Sequence, residues 1–150
     1  MDHIHLPVMP KECLEALAPN KDGVFLDGTA GLGGHSELLA ESGCRLICID
    51  RDGDAVARTA QRLARFGSRV TVLRGNFSEL DTLLDSVGIG RVDGILLDLG
   101  VSSMQLDTPE RGFSYRFDAP LDMRMDAAQT LTAEEIVNGW DVRELTRILY

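Results

Sequence analysis

A dense run of glycines is the part of this chain best suited to hold a ligand. The run Asp27-Gly28-Thr29-Ala30-Gly31-Leu32-Gly33-Gly34-His35-Ser36 lies between an apolar segment, Val24-Phe25-Leu26, and residues 36–41, which have helical composition. Glycine permits positive φ and close approach of a ligand to the backbone, and a helix N-terminus offers unpaired N–H groups. The pattern predicts a cradle for a nucleotide cofactor. A plain turn is the alternative, because the spacing is not G-x-G-x-x-G.

Polar or aromatic residues follow three further apolar segments and could complete the same site. Asp50 ends one segment and could accept hydrogen bonds from two ribose hydroxyls, Asn76-Phe77 follows the next and could bracket a planar base, and Asp98 ends the last. Ligands of open α/β sheets sit over the carboxyl ends of the strands. We therefore expect these residues to lie with the glycines at one edge of a sheet.

Each of these residues also has a purely structural interpretation. Asp50 could cap the following helix, Asp98 could bond the next loop, Phe77 could lie in the core, and His35 could donate to a carbonyl.

The elements that must position these residues alternate along the chain, which predicts a doubly wound α/β fold with a parallel sheet. The predicted strands are apolar throughout, as expected for strands buried on both faces. They are Val24–Asp27, Arg45–Asp50, Val70–Leu73 and 94–98. The predicted helices are Pro10–Leu17, 34–42, 54–66 and 78–87.

The pattern changes after Asp98. Residues 99–128 show no sustained period and predict a long irregular segment, while Thr132-Ala133-Glu134-Glu135 predicts a capping box that opens a helix through Val137. A last helix is predicted over 142–150.

The charge of the chain argues against a free-standing nucleic-acid-binding protein. The formal net charge is −9 and no basic stripe is present. Arg58, Arg62, Arg65 and Arg69 are expected to form a solvated helix face. The sequence shows no apolar run of membrane-spanning length and no signal-peptide pattern, so a cytoplasmic location is expected.

The cysteines and histidines do not predict a metal site. Cys13, Cys44 and Cys48 have no metal-site spacing, and His3 with His5 lacks a third ligand nearby. The cysteines are expected to pack as small apolar residues.

The motifs together resemble the bacterial ribosomal RNA small-subunit methyltransferase H family, from about His5 to Tyr150. The resemblance is carried by the glycine run and by six further motifs along the chain: Asp50-Arg51-Asp52, Asn76-Phe77, residues 93–103, Gln105-Leu106-Asp107, Arg111-Gly112-Phe113-Ser114 and residues 120–126. It implies a class I (Rossmann-like) methyltransferase that transfers a methyl group from S-adenosylmethionine to the N4 amine of a cytidine in 16S rRNA of the small ribosomal subunit.

The resemblance also implies roles for individual residues. The cofactor-binding residues it implies are Gly33, Gly34, His35, Asp50, Phe77, Asp98 and Gln105. An aromatic exocyclic amine is a poor nucleophile that needs hydrogen-bond acceptors beside it, so Asp98 is also the candidate catalytic residue.

Members of this family are about twice as long, so the chain is expected to be an N-terminal portion. Residues 1–105 would form the cofactor-binding α/β domain and 106–150 would begin an inserted helical domain. Two other interpretations are a noncatalytic S-adenosylmethionine-binding or regulatory module and a nicotinamide-dependent oxidoreductase. The glycine spacing disfavours the oxidoreductase.

Overall fold

The structure is a computed structural model and describes residues 6–150. The chain falls into two compact units, which divide between Leu99 and Gly100. The functional division expected at residue 105 stays a prediction.

The first unit is a four-stranded parallel sheet. Its strands are β1 (Val24–Asp27), β2 (Arg45–Asp50), β3 (Val70–Arg74) and β4 (Gly94–Leu96). The order across the sheet is β3-β2-β1-β4, with Val24 opposite Arg45 and Leu26 opposite Ile95. The helices are α1 (Pro10–Leu17), α2 (Gly34–Glu41), α3 (Gly53–Leu63) and α4 (Leu80–Ser86). The predicted α/β fold is confirmed.

Apolar residues cover both faces of the sheet. Along β2, Leu46 and Cys48 pack in one core cluster, while Ile47 and Ile49 pack in the other. Successive side chains of a strand point to opposite faces, so a continuous apolar run buries both. Cys44 and Cys48 are buried free thiols, as expected for apolar packing.

Several predicted boundaries differ from the structure. β4 ends at Leu96 instead of Asp98, and α3 ends at Leu63 and continues as a 3-10 segment, Ala64–Arg69. The helix predicted over 78–87 consists of a 3-10 turn, Phe77–Glu79, followed by α4. The backbone N–H of Asp98 donates to the hydroxyl of Thr29, so it does not continue the strand pairing.

The second unit contains α5 (Ser103–Asp107), α6 (Ala133–Gly139) and α7 (Val142–Leu149). The capping box predicted at Thr132 is present and opens α6. The prediction that 99–128 is irregular throughout is wrong, because α5 and the 3-10 turn Pro109–Arg111 lie within it.

Backbone contacts bring distant parts of this segment together. One guanidinium nitrogen of Arg111 donates to the carbonyl oxygens of Arg124 and Met125 at 3.0 and 2.9 Å. Gly112 has a φ of +70°, and a Cβ atom placed on it would lie 2.5 Å from the carbonyl oxygen of Pro120. Only glycine fits where these two chain segments approach each other so closely.

Within residues 6–150, no helix is long and apolar enough to cross a membrane. The same part of the chain contains no group of three or more His, Cys, Asp or Glu side chains suited to a metal ion.

Candidate functional site

The glycine loop, residues 28–34, lies at the carboxyl end of β1 and is tied to the neighbouring strand β2. The N–H of Ala30 donates to the carbonyl of Ile49 at 3.0 Å, and the N–H of Gly31 donates to Oδ2 of Asp50 at 2.7 Å. Within the loop, the N–H of Gly33 donates to the carbonyl of Ala30 at 2.7 Å. The predicted meeting of glycine loop and Asp50 at one sheet edge is therefore observed.

Helix α3 fixes the opposite side of the loop. The hydroxyl of Thr59 donates to the carbonyl of Gly31 at 2.9 Å, and Arg62 donates to the carbonyl of Leu32 at 3.1 Å. Gly33 has a φ of +77°, and a Cβ atom there would lie 3.3 Å from both Thr59 Oγ1 and Arg62 Cδ. Glycine is favoured at this position by both its conformation and its close neighbours.

The sequence interpretation missed Thr59 and Arg62 as loop contacts. Arg62 also binds Glu37 of α2, with a shortest N–O distance of 2.6 Å, and Arg65 binds Glu37 and Glu41. The arginines of the predicted solvated face, Arg58, Arg62, Arg65 and Arg69, are all exposed, and Arg62 and Arg65 in addition bind α2. No residue spacing signals this, because the partners lie on another helix.

Asp50 uses both carboxylate oxygens to shape the site. Oδ2 accepts from Gly31, and Oδ1 accepts from the N–H of Asp52 at 2.9 Å. The side chain that caps α3 belongs to Asp52, which accepts from the N–H of Asp54. Each carboxylate oxygen can accept a second hydrogen bond, so Asp50 keeps the capacity to accept from hydroxyl groups of a ligand.

A buried carboxylate at the end of β1, Asp27, accepts hydrogen bonds from the loop and from α2. Asp27 is fully buried; Ser36 Oγ donates to it at 2.6 Å and the N–H of Thr29 donates at 3.1 Å. Burial raises the pKa of Asp27 above its ordinary value, against the lowering effect of these hydrogen bonds. Burial likewise raises the pKa of the Cys48 thiol to about 12, so this cysteine is an inert thiol at neutral pH.

His35 and Asp98 face each other beside the loop. Nε2 of His35 lies 4.0 Å from Oδ2 of Asp98. The His35 side chain is buried, whereas 48% of the Asp98 side chain is exposed. Thr29 binds the backbone of Asp98, because its hydroxyl oxygen accepts from the Asp98 N–H at 2.7 Å. The loop and the residues that follow β4 thus form one connected site.

Phe77 is close to the start of the glycine loop and is partly exposed. A Cβ atom added to Gly28 would lie 3.4 Å from Cβ of Phe77 and 2.6 Å from Cδ2 of Leu97. With 40% of its surface exposed, Phe77 is not a core residue. Asn76 accepts from the N–H of Ser78 and so caps the turn that contains Phe77.

Gln105 belongs to the second unit and has contacts of its own there. Its Oε1 accepts from the N–H of Ser102 at 3.1 Å, its N–H donates to Ser102 Oγ, and its Nε2 donates to the carbonyl of Met125 at 3.5 Å. This capping box begins α5. The pattern Ser102-x-x-Gln105 could have predicted that helix. The cofactor role of Gln105 stays a prediction.

The sheet order and the glycine loop at its carboxyl edge define a Rossmann-like fold of the class I methyltransferase type. The C-terminal domain of precorrin-6Y C5,15-methyltransferase from Rhodobacter capsulatus matches it with a TM-score of 0.54 and 20% identity. The match covers 71% of this chain and 56% of that one.

The family model of the MraW methylase family matches residues 2–150, so the chain belongs to that family. It is 51% identical to ribosomal RNA small subunit methyltransferase H 2 of Agathobacter rectalis, over 99% of this chain and 49% of that protein. It is 50% identical to ribosomal RNA small subunit methyltransferase H of Clavibacter michiganensis subsp. michiganensis, over 100% of this chain and 49% of that protein. The chain spans about half the length of these curated relatives.

Proposed function

We propose that this chain supplies the S-adenosylmethionine-binding part of an rRNA methyltransferase. The observation that carries the proposal is the direct bonding of the glycine loop to both Asp50 and Asp98 at one sheet edge, in a chain of the MraW methylase family. Membership of that family favours a methyl-donor cofactor over a nicotinamide.

The cofactor roles follow from the position of each residue. The backbone of Gly33, Gly34 and His35 lies where the loop enters α2. The N–H of Gly33 is already bonded to Ala30, so the N–H groups of Gly34 and His35, at the helix start, are proposed to bind the polar end of the cofactor, with Gly33 giving it close access to the backbone. Asp50 would accept from the ribose hydroxyls, and the exposed ring of Phe77 would pack against the adenine.

The proposed substrate is the N4 amine of a cytidine in 16S rRNA of the small ribosomal subunit. The names of the curated relatives support rRNA of the small subunit as the substrate, while the cytidine N4 amine is what the sequence resemblance implies. When bound, the cofactor supplies an electrophilic methyl group. The amine lone pair is delocalised into the ring, so a carboxylate that accepts an N–H hydrogen bond would raise its reactivity. Asp98 is half exposed at the strand edge and is proposed to be that acceptor.

The amine nitrogen would take up the methyl group that the bound cofactor supplies, and it would then lose a proton. The Asp98 carboxylate is proposed to receive that proton. The base must leave its stack to reach the carboxylate, which fits a single-stranded or loop segment of RNA. Such a reaction belongs in the cytoplasm, where ribosomal subunits are found.

Calorimetric titration of the chain with S-adenosylmethionine and with NAD tests the cofactor. We expect saturable binding of the former alone. Replacing Asp50 with alanine should weaken it by about 10- to 100-fold, since hydrogen bonds to a charged group contribute about 1.5–3 kcal/mol. Asp54→Ala, which removes an exposed carboxylate from the first turn of α3, is the matched control. Binding of NAD, or equal affinities in the two variants, would contradict the proposal.

Methyl transfer is tested with small ribosomal subunits and a chimera in which this chain is joined to the part of the A. rectalis relative that it does not match. Transfer to a cytidine N4 by the chimera is expected. Cofactor binding without transfer by the chimera would favour the alternative, a noncatalytic S-adenosylmethionine-binding or regulatory module.

A further inference from the structure

The imidazole of His35 contains a buried nitrogen without a hydrogen-bond partner. His35 is 7% exposed, and within residues 6–150 its Nε2 has neither solvent contact nor a partner. An unpartnered buried polar atom is costly and therefore rare, so it points to an interaction that this side chain can form. A carboxylate oxygen, Oδ2 of Asp98, lies 4.0 Å from Nε2.

The distance between the two atoms is about 1 Å longer than a hydrogen bond. Thr29 already fixes the backbone of Asp98, so a small movement of its half-exposed side chain alone would shorten this distance to that of a hydrogen bond. Hydrogen bonds of catalytic groups are often long without ligand and shorten when the reactants are bound.

We propose that His35 is a positioning residue for Asp98, with the Nε2–H of the imidazole donating to Oδ2 of the carboxylate. A charged carboxylate only accepts hydrogen bonds, so a neutral imidazole can bond it only as the tautomer with the proton on Nε2. The bond would fix the carboxylate so that its exposed part faces the reacting amine. The hydrogen bond itself does not depend on the proposed function, whereas its effect on methyl transfer rests on the proposed function.

The hydrogen bond is tested by nitrogen-15 NMR of the imidazole in this chain at neutral pH. We expect His35 to carry its proton on Nε2, and the Nε2 resonance to move in Asp98→Ala. Asp81→Asn, an exposed carboxylate of α4, should leave it in place. A proton on Nδ1, or an Nε2 resonance that Asp98→Ala leaves unchanged, would overturn the proposal without bearing on cofactor binding.

The effect on the reaction is tested by two substitutions of His35 in the chimera. Glutamine places an amide N–H near the position of Nε2, whereas asparagine places it near Nδ1, farther from Asp98. We expect His35→Asn to lower kcat about tenfold, equivalent to one hydrogen bond, and His35→Gln to stay within about threefold of the wild type. Equal losses in both variants would refute the positioning role. Absence of transfer by the wild-type chimera would refute the proposed function instead.

Discussion

Replacing Ser36 with alanine is expected to destabilise the first unit more than the same replacement at Ser42. Both hydroxyls are on or next to α2 and both donate at short distance, Ser36 to Asp27 at 2.6 Å and Ser42 to the carbonyl of Leu39 at 2.7 Å. They differ in acceptor, because Asp27 is a fully buried carboxylate and Leu39 offers a neutral carbonyl.

The magnitude follows from that difference. Loss of a hydrogen bond to a charged group costs about 1.5–3 kcal/mol, and loss of one between neutral groups about 0.5–1.5 kcal/mol. The free energy of unfolding should therefore fall about 1–2 kcal/mol further in Ser36→Ala than in Ser42→Ala. At about 2–4 °C per kcal/mol, the difference in Tm should be about 2–8 °C.

The loss of stability caused by Ser36→Ala should depend on pH. The folded state raises the pKa of Asp27 above 3.8, so the contribution of this group to stability is fully present below that value and is lost as pH rises through the folded pKa. Ser36 favours the charged carboxylate, so its removal raises the folded pKa further and enlarges the loss at neutral pH. The cost of Ser36→Ala should shrink as the pH is lowered toward 3.8.

Urea unfolding followed by far-UV circular dichroism measures both effects in the wild type and the two variants. The reasoning fails if Ser36→Ala costs no more than Ser42→Ala at neutral pH. It also fails if the cost of Ser36→Ala stays constant as the pH is lowered.

Two further substitutions test the backbone contacts. Gly112→Ala should destabilise the chain by more than Gly88→Ala. Both glycines have φ near +70°, a conformation that costs alanine about 1 kcal/mol. A Cβ atom at position 112 would also meet backbone atoms, whereas nothing lies within 4 Å of one at position 88. Equal losses in the free energy of unfolding, measured with urea, would show that the backbone near Gly112 moves away without cost and would contradict this prediction. In Thr29→Val the hydrogen-exchange rate of the Asp98 amide should rise about fivefold, equivalent to about 1 kcal/mol, whereas Thr29→Ser should keep the amide protected. Unchanged protection of the amide in the valine variant would contradict the observed bond.

The sequence predicted the elements whose packing is local and repetitive. The bounds of β1 and β2 are confirmed because their apolar runs are buried on both sheet faces and polar residues follow them at the same edge. The end of β4 could not be predicted, because it depends on a hydroxyl of Thr29, 69 residues earlier in the chain. A contact of that range leaves no periodic signal.

The candidate site shows the same division. The strand order brings the glycine loop and Asp50 together, and this was predictable from the rule that ligands bind at carboxyl ends of parallel strands. The contacts of Thr59 and Arg62 with the loop span 28 and 30 residues and depend on how α3 lies on the sheet. The roles of the individual cofactor-binding residues stay predictions.

The bonding of the glycine loop has a consequence for the thermodynamics of binding. The N–H groups of Ala30 and Gly31 and the carbonyls of Gly31 and Leu32 are held by β2, Asp50 and α3, within the protein itself. A ligand that enters the loop therefore does not have to order it, and the entropic cost of immobilising backbone falls on folding instead of on association. Association at this loop should accordingly be fast, without a slow closing step.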